Sequence, residues 1–320
     1  MPEQSPTHKR RGRLLRRGAS FLVLLAVAGY LVVQYVTGGT GDPACEVVSA
    51  DGRGPSYEFT PEQAVNAATI TAVGTARGLP ERAVAIALAT ALQESGLRNI
   101  THGDRDSLGL FQQRPSQGWG TEKEILDPTY SAGEFYDHLV KVSDYETLPL
   151  TVAAQRVQRS GFPEAYAKHE PDATLLAAAL TGHAAATLTC EGRRDASTTG
   201  GGPDAVRAAL VRDFGRDVLA VAGAEVSRKG AADTPTPSPS STAPSTVTLP
   251  VPEDTDTAAG TTRAQRGWQL AHWAVANASA LHIENVTYAG RRWTAGNTDS
   301  EWRPTGTRAS AEAVRIVTTP

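Results

Sequence analysis

The chain has 320 residues, a formal charge of −3 and two cysteines, which leaves room for one ordinary domain with appendages or for two small ones. Residues 1–17 carry six Lys/Arg against one Glu, leaving 25 Lys/Arg against 33 Asp/Glu, a net of −8, for everything after them. A folded part that acidic lacks the basic face that nucleic acid requires, so nucleic acid is excluded as a partner.

The basic tail, residues 1–18, precedes Ala19–Val36, a run of 18 residues without a charge. Its length and flanking charge predict a transmembrane signal anchor over 19–36. The amino terminus is then cytoplasmic, the bulk extracellular, and the cytoplasmic membrane a partner. A cleaved signal peptide is the competing reading, but Thr37-Gly-Gly-Thr-Gly-Asp-Pro contains no convincing small-x-small site. A Gly-rich neck spans 37–56.

Thr60, Pro61 and Gln63 then spell a capping box, opening a helix through Ala64, Ala67, Ile70 and Val73 to about Ala76. Pro80 opens a second, whose Val84, Leu88 and Leu92 recur every four residues, with Ala87 and Ala91 beside them. Residues 99–120 read as loop and Thr121–Leu126 as a capped turn. Further helices are predicted from Pro128, from Thr151, and from Pro163 through an interruption at Pro171 to Leu180. The fold class expected is mainly α: a helical domain over 57–190 behind the transmembrane helix.

Residues 203–228 read as a helix that joins either this domain or the next. The Ser/Thr/Pro-rich stretch 229–262 is expected to be a disordered insertion. A small α/β domain is expected over 263–320. It holds four of the five tryptophans (Trp268, Trp273, Trp293, Trp302), read as core side chains before ligand platforms. Cys45 and Cys190 bracket the helical domain and are expected to pair, two independent thiols being the alternative. Two distant cysteines and scattered histidines form no ligand cluster, so neither a metal nor a cofactor is expected.

The chemistry concentrates between Ala89 and Thr121. Glu94 stands where the second helix gives out before Gly96, followed by a loop with Asp104 and Asp106 and the run Gly109-Leu110-Phe111-Gln112-Gln113-Arg114-Pro115. Trp119 lies beyond. A carboxyl on a rigid helix end, facing a loop of amides and an indole, suits glycosidic bond cleavage, which needs an acid to protonate the leaving oxygen.

Glu94-Ser95 followed by Gly109-Leu110-Phe111-Gln112 resembles the lysozyme-like superfamily, in its soluble lytic transglycosylase and goose-type lysozyme branch. The longer run Gly109–Gly120 is similar to that of a group of membrane-anchored proteins from high-GC Gram-positive bacteria. The first resemblance covers roughly Thr60 to Gly182. It implies a lysozyme-like fold and peptidoglycan glycan strands as partner. Glu94 would then be the acid/base cleaving the bond from N-acetylmuramic acid to N-acetylglucosamine.

With a lone carboxylate, the muramoyl 6-hydroxyl attacks and leaves a 1,6-anhydro product; hydrolysis needs a second carboxylate, for which Asp104 and Asp106 are the candidates. Ser95, Gln112, Gln113, Arg114 and Trp119 are candidates for substrate binding, the glutamines alternatively bracing the loop. The family's downstream Ala-Tyr-Asn is missing: residues 153–160 read Ala-Ala-Gln-Arg-Val-Gln-Arg-Ser, with Gln155 or Gln158 in place of the Asn. These departures leave two other classes open, a non-catalytic peptidoglycan-binding module and a scaffold contacting other envelope proteins through the carboxy-terminal domain.

Overall fold

A computed structural model describes residues 44–162, 164–192, 201–216, 218, 245–251, 261–296, 301–306 and 311–319. The expected tail over 1–18 and anchor over 19–36 lie outside them, as do residues 37–43 of the neck and residues 229–244 and 252–260 of the expected insertion.

The helical succession follows the capping signals. Helix α1 (Pro61–Ala76) begins at Thr60, whose side chain accepts from the Gln63 backbone while Gln63 returns the bond. Helix α2 (Glu81–Ser95) follows Pro80 and ends at Gly96, which takes the left-handed conformation at φ 63°. Every residue of α2 from Ala83 to Leu92 is buried, so this helix is the axis of the core rather than a surface helix with one apolar stripe.

Short α3 (Glu122–Ile125) carries its own capping box at Thr121. It leads into α4 (Pro128–Leu139) and α5 (Leu150–Gln158). In α6 (Glu170–Leu180), Pro171 sits in the first turn and opens the helix, preceded by a 3-10 turn, Ala167–His169; the expected start, Pro163, lies outside the described residues.

The expectation of a mainly α fold is corrected: the protein is mixed α/β, with two antiparallel sheets. Strands β1 (Cys45–Val48), β2 (Ser56–Phe59) and β3 (Leu188–Cys190) form the first, in the order β2-β1-β3. They have only three or four residues each, too few for period-two patterning to stand out. Cys45 and Cys190 are register partners across this sheet and form a disulfide.

The second sheet runs β4-β8-β5-β6-β7, from β4 (Ser245–Pro250), β5 (Ile283–Tyr288), β6 (Arg291–Thr294), β7 (Arg303–Pro304) and β8 (Ala313–Thr318). Strand β4 corrects the expectation of disorder through 229–262. Val247 and Leu249 point into the core while Thr246 and Thr248 face out, an alternation hidden inside a Ser/Thr/Pro composition.

Against the expected single-pass placement, no helix among the described residues is long and apolar enough to cross a membrane; the expected anchor, 19–36, lies outside them.

Pro43–Pro320 forms one compact unit, and the stretches expected as two domains share a hydrophobic core. Helix α7 (Pro203–Phe214) packs on α1 and β4, and α8 (Arg263–Ala276) lies against α1 and α6 on one side and β3, β5 and β8 on the other; a short α9 (Ala278–Leu281) follows. Polar contacts stitch the seam. Gln269 donates to Thr75 Oγ1 at 2.7 Å, and His272 Nδ1 to the Ala179 carbonyl at 2.7 Å.

The four carboxy-terminal tryptophans are buried in this seam. Trp293 and Trp302 donate to the carbonyls of Cys190 and Leu188, and Trp273 to Asp213. Gly182, at φ 82°, is required where α6 meets α8: a Cβ there would run into the Gln265 carbonyl.

Candidate functional site

The end of α2 is held from three sides. Leu97 N donates back to Ala91 O at 3.1 Å, closing the helix with a Schellman-type bond. From α1, Gln63 and Asn66 donate to the carbonyls of Gly96 and Leu97, each at 2.8 Å. Ser95, 5% exposed, donates to the Leu110 carbonyl at 2.8 Å and so ties the helix end to the Gly-Leu-Phe-Gln loop. Glu94, half-buried in this last turn, therefore stands on a rigid support.

Its partner is Tyr166, which sequence comparison did not single out. The Tyr166 hydroxyl donates to Glu94 Oε1 at 2.7 Å, from a ring that is wholly buried. Burial first, then the neighbouring Glu94 charge, pushes the phenol well above its ordinary range, so Tyr166 remains a donor at any physiological pH. Ala165-Tyr166 lies downstream of residues 153–160, the segment in which the resemblance implies a tyrosine. Next to Glu94, Gln93 Oε1 meets His169 Nε2 at 3.2 Å, a second tie from α2 to the start of α6.

The Gly-Leu-Phe-Gln loop is a tight hairpin closed by paired backbone bonds between Leu108 and Gln113, at 2.9 and 3.0 Å. Gly109 is needed at φ 74°, where a Cβ would come within 2.7 Å of the Ile125 carbonyl. Leu110 and Phe111 are fully buried, Phe111 stacking on Phe135 with ring centroids 4.7 Å apart. Gln112 turns the corner at φ 49° and is half-buried.

The candidate binding residues divide. Gln113 is 2% exposed and donates to Ser131 O at 3.0 Å, Gln155 to Ser160 O at 2.7 Å, and Gln158 to Phe111 O at 2.8 Å. All three amides brace backbone. Ser95 and Gln158 thus hold the adjacent carbonyls of Leu110 and Phe111 from two different helices.

Five candidates, Gln112, Gln113, Arg114, Trp119 and Gln158, nevertheless line one cavity of about 460 Å³. Trp119 forms part of its wall against His138, the rings 4.2 Å apart. Glu94, Ser95 and Gln155 are not on its lining.

Neither candidate second carboxylate is hydrogen-bonded to Glu94. Asp106 accepts from Arg114 Nε at 2.8 Å and from Ser116 N at 2.9 Å. The Ser116 and Arg114 hydrogen bonds hold its carboxyl far below the ordinary range. Asp104 is exposed, 3.9 Å from the Arg105 guanidinium. Among the described residues no group of three or more His, Cys, Asp or Glu is placed to hold a metal ion.

Residues 251–315 match the family model described as VldE, C-terminal domain, a span that runs from the end of β4 into β8 and does not reach Glu94. No curated protein matches the chain.

Proposed function

We propose that the protein is a peptidoglycan lytic transglycosylase with Glu94 as its acid and base. The observation that carries this reading is the 2.7 Å hydrogen bond from buried Tyr166 to Glu94 Oε1, at a helix end braced against the Gly-Leu-Phe-Gln loop. A carboxyl with one oxygen held by a permanent donor keeps the other free to carry and release a proton. That proton goes to the glycosidic oxygen as the bond to the muramoyl anomeric carbon breaks. The carboxylate then takes the proton of the muramoyl 6-hydroxyl as that oxygen closes on the same carbon.

Asp106, bonded to Ser116 and Arg114 with its carboxyl held far below the ordinary range, is a weak base towards water, which favours the internal nucleophile over hydrolysis. Mass spectrometry of the fragments released from purified sacculi tests the reading, with Glu94→Gln alongside. Anhydro-ended fragments from the unsubstituted protein, lowered about a hundredfold or more by the substitution, are the expected result. Reducing ends would make the protein a hydrolase, and binding without release would make it a glycan-binding module.

A further inference from the structure

We propose that the cavity beside the Gly-Leu-Phe-Gln loop is a carboxylate-binding subsite, which takes an acidic group of the peptide borne by the glycan strand. The inference rests on the peptidoglycan reading above and names what that substrate presents besides sugar.

The lining carries Arg114, His138, Lys141, Arg156 and Arg159, with no Asp or Glu among its residues. In a chain whose residues after the amino-terminal tail carry a net charge of −8, five basic side chains around one cavity are a local inversion of the overall charge. Arg114 is matched internally by Asp106. Lys141, Arg156 and Arg159 form no ion pair among the described residues. Arg156 has one long bond, to the Ser143 carbonyl at 3.4 Å.

Arg159 ends α5 in the left-handed region at φ 51°, a conformation that costs a residue with a Cβ and recurs at binding sites. Two guanidinium forks and an ammonium at the mouth of a cavity match a carboxylate. The Trp119 ring and the Gln112 and Gln117 amides offer an apolar wall and hydrogen bonds to the sugar and amide groups that carry it.

The cavity and Glu94 belong to one constellation. Gln158, on the lining, holds the Phe111 carbonyl next to the Leu110 carbonyl held by Ser95. The connection leaving α5 begins at Arg159 and ends at Tyr166, the partner of Glu94. The cationic cavity and the acid thus stand on elements already tied together.

Calorimetric titration of the full-length Glu94→Gln protein, whose turnover is expected to be lowered about a hundredfold or more, tests the proposal. The probes are a soluble disaccharide-peptide with free carboxylates and the same molecule with those carboxylates amidated. Amidation is expected to weaken binding about tenfold or more, and a Lys141→Gln/Arg156→Gln/Arg159→Gln form is expected to bind both probes alike. Equal affinity of the starting protein for the two probes overturns the proposal, and that comparison needs no cavity substitution to fold. Inorganic phosphate displacing the free-acid probe better than acetate does also overturns it, assigning the cavity to phosphate. Because calorimetry does not depend on turnover, an amidation contrast in a protein that releases nothing from sacculi would defeat the enzymatic reading and leave the subsite standing.

Discussion

The Tyr166 hydroxyl reaches Glu94 Oε1 at 2.7 Å from the far side of the α5–α6 connection, 72 residues along the chain. A buried, permanently protonated donor on a carboxylate constrains where that carboxylate points. Tyr166→Phe keeps the ring in its pocket and deletes this bond together with the hydroxyl's hydrogen bond with Ser160. Turnover of sacculi should fall about tenfold or more, the scale of a hydrogen bond to a charged group, while KM and the melting temperature move little. A variant that loses stability and activity in proportion would make Tyr166 a packing residue.

Ser95 and Gln158 satisfy two adjacent buried carbonyls from two helices. Ser95→Ala and Gln158→Leu each leave one acceptor without a partner, at a cost of about 1–3 kcal/mol. Because both bonds fix the same loop, the double variant should cost a different amount from the sum of the singles. Urea denaturation of the four proteins measures the coupling, and strict additivity would mean that the two bonds act independently.

His272 lies in the seam between α6, α8 and the large sheet, with its ring against those of Trp268 and Trp302, which also touch each other. Burial pushes it down to about 4, against an ordinary value of 6.5, and its bond to the Ala179 carbonyl offsets only part of that. The unfolded chain therefore takes up this proton first as pH falls. The stability from burying a neutral imidazole is complete above about pH 6.5 and is lost progressively towards pH 4, on the order of 3 kcal/mol in all. Thermal melts between pH 7 and 4 should show this slope, and His272→Gln should flatten it.

The Cys45–Cys190 disulfide closes a loop of 145 residues and sits within a register pair of the three-stranded sheet. Replacing both cysteines with serine should lower stability by about 2–5 kcal/mol. Equilibrium unfolding measures the loss, and peptide mapping without reductant locates the bond. An unchanged midpoint would mean that β1 and β3 hold each other without the cross-link.

Cutting the chain after residue 192 should leave α1 and α6 without the α8 face that covers them, because Gln269 and His272 bond directly to Thr75 and Ala179. The fragment is expected to aggregate or to lose its near-ultraviolet dichroism. A stably folded fragment would show that the shared core is divisible.

Local chemistry was legible along the chain. Thr60-Pro-Glu-Gln, Pro80, Thr121 and Pro128 announced helices because caps and first-turn prolines act within four residues. The pairing of Cys45 with Cys190 followed from there being only two cysteines to pair. The short strands β1–β3 and β7 were not legible, since they exist only because partners from elsewhere in the chain complete their ladders. Ser245–Pro250 was hidden for the same reason: its composition says disorder, and its alternating Val247 and Leu249 acquire meaning only against β8.

At the candidate site, Glu94, Ser95 and the Gly109–Gln112 run were set by adjacent residues and stood out at once. Tertiary structure alone decided that Tyr166 bonds to Glu94, that Asp106 is consumed by Arg114 and Ser116, and that Gln113, Gln155 and Gln158 brace carbonyls. Lys141, Arg156 and Arg159 are scattered over two connections and a helix, and only the fold sets them around one cavity. A side chain's partner across tens of residues depends on how the core packs, and no local pattern encodes that.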